Sequence, residues 1–186
     1  MTAIETRPVG PDQLSALGRL FDSSRNTRRC WCMAPCLERG AFSVGWVTGG
    51  NRRRFSALAA ASDDPMGVLA AVSGEPVGWC ACGPRSRYLA RLADHGGSDA
   101  DDGTWLVACF YVHPDHRSSG VTRALLRSAV AMASAHGATA IEGSPATGPD
   151  ARADAFRGSA ELFAELGFQE LARSDARRVR MRLELP

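Results

Sequence analysis

The stretch Thr104–His136 constrains the fold more than any other part of the sequence. Residues 105–112, Trp-Leu-Val-Ala-Cys-Phe-Tyr-Val, carry no charge and are rich in β-branched and aromatic side chains, which is typical of a strand buried on both faces. Pro114 ends this run. After a turn at residues 117–120, apolar residues recur at helical spacing from Val121 to Ala135. The stretch therefore predicts a buried strand, a tight turn and an amphipathic helix.

The turn between this strand and this helix has the composition of an anion-binding site. Its sequence is Arg-Ser-Ser-Gly, and Gly120 directly precedes the predicted helix. Glycine lets the backbone approach a ligand closely, and the first amides of a helix have no partner within the helix. Such amides attract a pyrophosphate. The generic phosphate loops G-x-x-x-x-G-K-[ST] and G-x-G-x-x-G do not occur in the chain. The alternative is a strand-turn-helix unit without a ligand.

Periodicity elsewhere predicts a single α/β (α+β) domain over residues 1–186, in the order β-α-α-β-β-β-α-β-α-β-β. In chain order we expect a strand at Ala3–Val9, helices beginning near Pro11 and Asn51, an apolar hairpin at 66–82, the central strand and helix, a strand at 138–142, a helix ending at Gly167 and a half-buried last strand at 178–185. Three segments carry weaker patterns: 25–45 is predicted to be irregular, 85–103 to hold a short helix around Tyr88 and Leu92 before an acidic loop, and 143–158 to be a long loop.

Charge and hydropathy exclude two classes of partner. The net charge is only +2 and the arginines are scattered, so the chain lacks the electrostatic footprint of a nucleic-acid-binding protein. No apolar run approaches the ~20 residues that span a bilayer, and residues 1–7 are polar. With 186 residues, of which 45% are hydrophobic, the chain is long enough to bury the core of one domain. We expect a soluble, cytoplasmic protein without a membrane partner.

The six cysteines suggest an alternative function, a zinc-binding structural or interaction module. In a cytoplasmic protein reduced thiols are the default. Structural zinc sites usually contain C-x₂₋₄-C pairs, whereas a single residue separates Cys30 from Cys32 and Cys80 from Cys82. In a zinc site we would expect Cys30, Cys32 and Cys36 among the ligands. The spacing favours a protein without a bound metal.

Residues 111–126 resemble motif A of the GNAT (GCN5-related) N-acetyltransferases. They read Tyr-Val-His-Pro-Asp-His-Arg-Ser-Ser-Gly-Val-Thr-Arg-Ala-Leu-Leu, and the family pattern is Val-x-Pro-x-x-Arg-x-x-Gly-x-Gly/Ala-x-x-Leu-Leu. Thr122 stands where the family has Gly or Ala. Residues 163–168, Phe-Ala-Glu-Leu-Gly-Phe, resemble the family's Tyr-x-x-x-Gly-Phe, with Phe163 in place of the tyrosine. The sequence is also similar to a GNAT subgroup that carries Cys-Trp-Cys-Met near its amino terminus, here residues 30–33.

The resemblance covers nearly the whole chain and implies a single GNAT domain. Its fold would be a mixed central sheet of about six to seven strands flanked by about four helices. Acetyl-CoA would be the acyl donor, and no metal is implied. The acetyl group would lie where the central strand and the next strand part, with backbone amides near Val112 polarising the thioester. The acceptor would be an amine of a small molecule or a peptide, and a homodimer is compatible with the family.

The resemblance also implies site residues. The residues expected to bind acetyl-CoA are Tyr111, Val112, Arg117, Ser118, Ser119, Gly120, Val121, Thr122, Ser159 and Phe163. Trp31 and Met33 are expected to line the acceptor pocket, because the loop between the first two helices borders the acceptor in the family. The alternative is that Trp31 packs on the sheet.

The general base is sought among residues near the point where the strands part. Glu142 is the nearest acidic residue, and Tyr111 is the reserve. The alternative for Glu142 is a solvated residue at the end of the strand or an ion-pair partner of a nearby arginine. Because Phe163 lacks the hydroxyl that protonates the leaving thiolate in many relatives, a CoA-binding domain without catalysis is an alternative to the enzyme.

Overall fold

Seven strands and six helices make up the described part of the chain. A computed structural model describes residues 3–88, 102–148, 156–175 and 177–186. The strands are β1 Ile4–Pro8, β2 Gly67–Val72, β3 Glu75–Pro84, β4 Thr104–Val112, β5 Ala140–Gly143, β6 Gln169–Asp175 and β7 Arg178–Glu184. The helices are α1 Leu14–Asp22, α2 Arg25–Cys30, α3 Arg39–Thr48, α4 Asn51–Ala61, α5 Val121–Ala135 and α6 Ala160–Glu165. In the described ranges no helix is both long and apolar enough to cross a membrane.

All seven strands belong to one mixed sheet with the order β1-β2-β3-β4-β5-β7-β6. Strands β1 to β4 pair antiparallel, as do β5, β7 and β6. The two halves are joined by the parallel pair β4 and β5, whose register runs from Thr104 opposite Ala140 to Val107 opposite Gly143. Beyond Val107, β4 continues to Val112 while β5 ends at Gly143. This point, where β4 loses its partner, is called the splay below.

A bulge in β4 decides which side chains face which layer. Ala81 pairs with Cys109 and Cys82 with Val107, so Ala108 is an extra residue on β4. The extra residue shifts the alternation of side chains by one. As a result Phe110 packs in the core beside α5, whereas Cys109 and Tyr111 join the core under α1 and α4 on the opposite face.

Most predicted elements are confirmed. The hairpin is β2 and β3, the central strand and helix are β4 and α5, and the alternating last strand is β7. The prediction of an irregular segment at 25–45 is wrong, since α2 and most of α3 lie there, and the described residues form six α-helices where about four helices were expected. Helix α2 is only six residues long, and its start is marked by the Ser24 hydroxyl accepting from the Asn26 amide. The predicted acidic loop at 94–103 and the Leu92 end of the short helix lie largely outside the described residues.

Candidate functional site

The splay leaves part of one β4 edge without a strand beside it. The His113 amide points towards β3 and donates to the Val77 carbonyl at 2.8 Å. Because successive amides of a strand point to opposite edges, the amides of Phe110 and Val112 point away from β3. The Phe110 amide donates to the Phe156 carbonyl at 2.7 Å. The connection between β5 and α6 therefore supplies the acceptor at this position. The edge can hold an amide-bearing ligand by backbone hydrogen bonds.

The predicted anion-binding turn has the geometry of such a site. Ser118 and Gly120 are both left-handed, with φ of 59° and 87°, and they flank Ser119. Helix α5 then begins at Val121, and no side chain caps its first amides. The turn 117–120 is exposed, so these amides and the positive end of a 15-residue helix dipole face solvent. Such a concave run of amides can bind a pyrophosphate.

The predicted cofactor residues of this turn differ in what they can offer a ligand. Arg117 and Ser118 are exposed, and the Ser119 hydroxyl donates to the His116 carbonyl at 2.6 Å, which holds the turn together. The Val121 side chain is buried, so only its amide can reach a ligand. Thr122 is half-buried in the first turn of α5.

A cavity of about 450 Å³ lies on the α1–α4 face of the sheet, beside the splay. Its floor is the part of β4 that has no β5 partner, namely Ala108, Cys109 and Tyr111. The remaining lining residues come from α2, α3 and the segments that follow α2 and precede α6: Asn26, Thr27, Cys30, Cys32, Ala34, Pro35, Phe42, Trp46, Phe156 and Arg157. The cavity and the free edge of β4 therefore share one strand.

Tyr111 is the predicted catalytic residue that lines this cavity. Its hydroxyl lies 2.9 Å from the Ser23 hydroxyl. Ser23 has one proton and donates it to the Leu20 carbonyl at 2.6 Å, so Tyr111 must be the donor of the pair. The lone pairs of the Tyr111 oxygen then remain to accept a hydrogen bond from a ligand.

Phe163 and Ser159, predicted to contact the cofactor, have structural partners. Phe163 is fully buried and packs edge-to-face against Phe110 and Phe168, with centroid distances of 6.3 and 4.9 Å. A side chain at Gly143 would collide with the Phe163 ring, so the phenyl group fills the space beside the end of β5. The Ser159 hydroxyl caps α6 by accepting from the Leu162 amide at 3.4 Å.

Trp31 and Met33 do not line this cavity, and Met33 instead lines a second cavity of about 680 Å³. Both are 2% exposed. Trp31 ends α2 in the left-handed region, with φ of 46°, and its ring turns into the core, 5.3 Å from Phe21 and 5.7 Å from Phe55. Its sequence neighbours Cys30 and Cys32 face the cavity instead.

Glu142 has the geometry of the alternative role, that of an ion-pair partner. It is 2% exposed, and its Oε1 accepts from Arg182 at 2.9 Å and from Arg85 at 3.2 Å. The same Arg182 nitrogen donates to the Thr104 hydroxyl, so the carboxylate leans towards the start of β4 and away from the splay. Glu142 does not line the cavity. It is an ion-pair partner of two arginines.

Sequence reasoning missed Phe42, Trp46 and Cys109. The first two are spaced i, i+4 on α3, a helical signal inside a segment that was too short to show a period. Cys109 was hidden by the bulge, because plain alternation would point it to the other face. Within the described ranges, no group of three His, Cys, Asp or Glu side chains is arranged to hold a metal ion.

Comparisons with known proteins support the fold. Solved structures share the fold across nearly the whole chain. Salmonella typhimurium yncA, determined with acetyl-CoA, has a TM-score of 0.56 at 16% identity and covers 99% of this chain and 95% of its own. PaiA N-acetyltransferase of Thermoplasma acidophilum, in complex with coenzyme A, gives 0.58 at 11%, covering 98% and 99%. The GNAT domain of S. lividans PAT gives 0.59 at 19%, covering 98% and 90%.

Sequence comparison identifies the family. No curated protein matches the sequence. The family model described as Acetyltransferase (GNAT) family matches residues 31–168, which include β4, the anion-binding turn, α5 and the Phe163–Phe168 segment. The chain belongs to the GNAT family of acetyltransferases.

Proposed function

We propose that the protein transfers acetyl from acetyl-CoA to the nitrogen of an amine by direct attack on the thioester. The observation that carries this proposal is the continuity of three features along β4. The β4 edge at Phe110 and Val112 that has no strand beside it, the cavity floored by Cys109 and Tyr111, and the amide-lined turn after Val112 follow one another within a dozen residues. A donor held by the turn and the edge would present its thioester to the cavity.

The turn and the edge suit different parts of acetyl-CoA. The amides from Ser118 to Thr122 would receive the pyrophosphate, with Arg117 adding one solvated contact. The pantetheine arm contains two amide groups and would pair with the β4 edge like a short strand. The Phe156 carbonyl, now bonded to the Phe110 amide, must then exchange that partner or share it. The Val112 amide is placed to polarise the thioester carbonyl.

Proton transfer from the amine is the harder half of the reaction. An alkylamine with a pKa near 10.4 is only about one part in a thousand neutral at physiological pH, whereas a thiol of pKa about 8.5 leaves readily as thiolate. The Tyr111 hydroxyl donates its hydrogen bond to Ser23, so the Tyr111 oxygen can accept a hydrogen bond from the amine. This contact would orient the lone pair of the amine nitrogen towards the thioester. Because the thiolate leaves with little acid catalysis, the reaction does not require a proton donor at position 163, where the chain has the phenyl ring of Phe163.

A CoA-binding domain without catalysis is the second candidate function. Two observations favour it: Phe163 brings no hydroxyl to the splay, and the Phe110 amide already has a backbone acceptor. The test is titration calorimetry with acetyl-CoA followed by thiol release in the presence of an amine panel. Binding with amine-dependent release of CoA supports the enzyme, and binding without release for any amine supports the second candidate. Absence of acetyl-CoA binding contradicts both.

We further propose that the protein acts in the cytoplasm. Its six cysteines form no disulfides, and thiols of this kind would remain reduced there. We also assign it to the GNAT subgroup with an amino-terminal Cys-Trp-Cys-Met segment, on the evidence that Cys30 and Cys32 of that segment form part of the cavity wall. A homodimer is the assembly to test first, by light scattering of the purified chain.

A further inference from the structure

Three thiols meet in the cavity beside the splay. Cys30 and Cys32 come from the end of α2 and the segment that follows it, and Cys109 comes from the floor on β4. The Cys32 and Cys109 thiols are hydrogen-bonded to each other. A disulfide forms between side chains that already face each other, because its geometry allows little separation of the two Cβ atoms. Cys32 and Cys109 are therefore a pair that a disulfide can join.

An unusual backbone holds the Cys32 thiol in place. Trp31 and Cys32 are both left-handed, with φ of 46° and 48°. Residues other than glycine keep such a conformation only where the surrounding contacts hold them in it. Here the Trp31 ring packs in the core, and the Trp79 indole of β3 donates to the Cys32 sulfur at 3.0 Å. The Cys32 sulfur is thus fixed against β3, beside the strand that carries Cys109.

The bulge in β4 brings Cys109 to the same place. Because Ala108 is the extra residue, Cys109 lies opposite Ala81 of β3 and faces the α1–α4 side of the sheet, as Cys32 does. Plain alternation would put the Cys109 side chain in the other layer. Cys109 is half-buried, whereas Cys32 is 6% exposed. A small oxidant that enters the cavity therefore meets the Cys109 sulfur more readily than the Cys32 sulfur.

The protonation of Cys32 suits the second of two oxidation steps. The hydrogen bond with Cys109 and burial raise the pKa of Cys32. A thiol that keeps its proton attacks an external oxidant slowly at neutral pH. Closure onto a neighbouring, already oxidised sulfur is intramolecular, so proximity compensates for the small thiolate fraction. Cys32 is therefore placed to resolve an oxidised Cys109 rather than to react first.

We propose that Cys32 and Cys109 are a site of reversible oxidation, at which a hydroperoxide joins them in a disulfide across the floor of the cavity. Hydrogen peroxide converts the Cys109 thiol to a sulfenic acid and releases one water. The Cys32 sulfur then bonds to the Cys109 sulfur, and the sulfenic hydroxyl leaves with the Cys32 proton as a second water. The two thiols lose two electrons, which the peroxide gains. A thiol reductant reverses the reaction by exchange.

The disulfide would close part of the cavity. Formation of a sulfur–sulfur bond of about 2 Å draws the segment after α2 onto β4. The turn at 117–120 lies outside the cavity and is not touched. This consequence rests on the proposed function, in which the cavity receives the amine and the turn receives the pyrophosphate. Oxidation would then raise KM for the amine and leave acetyl-CoA affinity unchanged.

Counting of thiols by mass spectrometry tests the site without an activity assay. The reduced protein is treated with hydrogen peroxide, and its remaining thiols are alkylated with iodoacetamide. We expect two of the six thiols to escape alkylation after peroxide and all six to react after dithiothreitol. The disulfide would close a loop of roughly 80 residues, so it should raise Tm by on the order of 10 °C.

Single serine variants assign the partners, because Cys30, Cys32 and Cys36 lie in one tryptic peptide between Arg29 and Arg39. Cys32→Ser and Cys109→Ser should each keep all remaining thiols open to alkylation after peroxide. Cys30→Ser is the matched control, since Cys30 lines the same cavity two residues from Cys32, and it should still lose two thiols. Should Cys32→Ser fail to fold, Cys32→Ala is read in the same way.

The outcomes separate the oxidation site from the proposed function. Loss of two thiols that requires Cys32 and Cys109 but not Cys30 supports the site, whether or not an amine is acetylated. Full alkylation of the parent protein after peroxide, or a disulfide that survives in Cys32→Ser, overturns it. Where an amine is acetylated, peroxide should raise its KM at least about threefold in the parent protein. Cys109→Ser, compared with itself before peroxide, should show no such rise, and an equal rise in both proteins overturns the regulation of the cavity.

Discussion

Two glycines at opposite ends of α5 provide a controlled test of the anion-binding turn. Gly120 precedes the helix and Gly137 follows it, and both are left-handed, with φ of 87° and 74°. A Cβ added at either position would meet no atom within 4 Å. Replacing each with glutamate therefore adds the same charge and the same left-handed backbone cost, about 1–2 kcal/mol. The variants differ in which end of the helix receives the carboxylate.

We expect Gly137→Glu to be the less stable of the two variants and Gly120→Glu to bind acetyl-CoA more weakly. A carboxylate is favourable at a helix amino terminus and unfavourable at a carboxyl terminus, by about 0.3–1 kcal/mol each. Gly137→Glu should therefore be the less stable protein. At Gly120 the carboxylate would stand beside the pyrophosphate, where one pair of like charges at ~4 Å costs about 1 kcal/mol in water and ~4 kcal/mol near a protein surface. A repulsion of about 3 kcal/mol weakens binding roughly a hundredfold.

Calorimetric titration with acetyl-CoA and thermal unfolding of both variants measure the two quantities. We expect Gly120→Glu to lose about a hundredfold in affinity and Gly137→Glu to bind as the parent protein does. Retained affinity in Gly120→Glu would show that the pyrophosphate lies elsewhere. Equal losses in both variants would show that backbone strain, transmitted through α5, is the cause rather than charge.

Three further predictions concern the site and its surroundings. Tyr111→Phe should lower kcat by up to about tenfold, because the amine loses the hydrogen bond that orients it, with acetyl-CoA affinity unchanged; an unchanged kcat would exclude the role. Glu142→Gln should lower the free energy of unfolding by about 3 kcal/mol, because two arginines lose their carboxylate, and leave kcat unchanged; a fall in kcat at unchanged stability would restore Glu142 as the base. Burial raises the pKa of Cys82 to about 12. In the unfolded chain the Cys82 thiol ionises near pH 8.5, well below its pKa in the folded protein. The contribution of Cys82 to the free energy of unfolding is therefore complete below that pH and declines by ~1.4 kcal/mol per pH unit as pH rises towards the folded pKa. Urea unfolding between about pH 8 and 10.5 should show a shallower decline for Cys82→Ala than for the parent, and parallel curves would contradict the assignment.

The parts of the fold that the sequence predicts well are local. The run from Trp105 to Val112, the break at Pro114 and the stripe along α5 each depend on neighbours a few residues away, and the structure confirms all three. The side chains of the candidate site depend on distant pairing. The direction of Tyr111 is set by the extra residue Ala108, which is visible only against its β3 partners. Period and propensity contain no information about such a register shift.

Two corrections have the same origin. The ring of Trp31 is buried because the backbone there is left-handed, a conformation that a tryptophan rarely adopts and that no local pattern indicates. The carboxylate of Glu142 is neutralised by Arg182, 40 residues later, and by Arg85, 57 residues earlier. The spacing along the chain gives no reason to bring these groups together, so a solvated or catalytic carboxylate could not be distinguished from an ion pair.

Substitutions in β4 affect the main-chain groups of its edge and the side chains of the cavity wall differently. An unpaired strand edge on the outside of a protein invites another chain, but this edge lies within the sheet, between β4 and the second half of the fold. In the proposed function it would bind acetyl-CoA through main-chain groups, and every residue except proline supplies both an amide and a carbonyl. A substitution at Cys109 or Tyr111 alters the cavity wall and leaves the amides of the edge in place. In the proposed function, the acceptor can therefore change by mutation while binding of acetyl-CoA is retained.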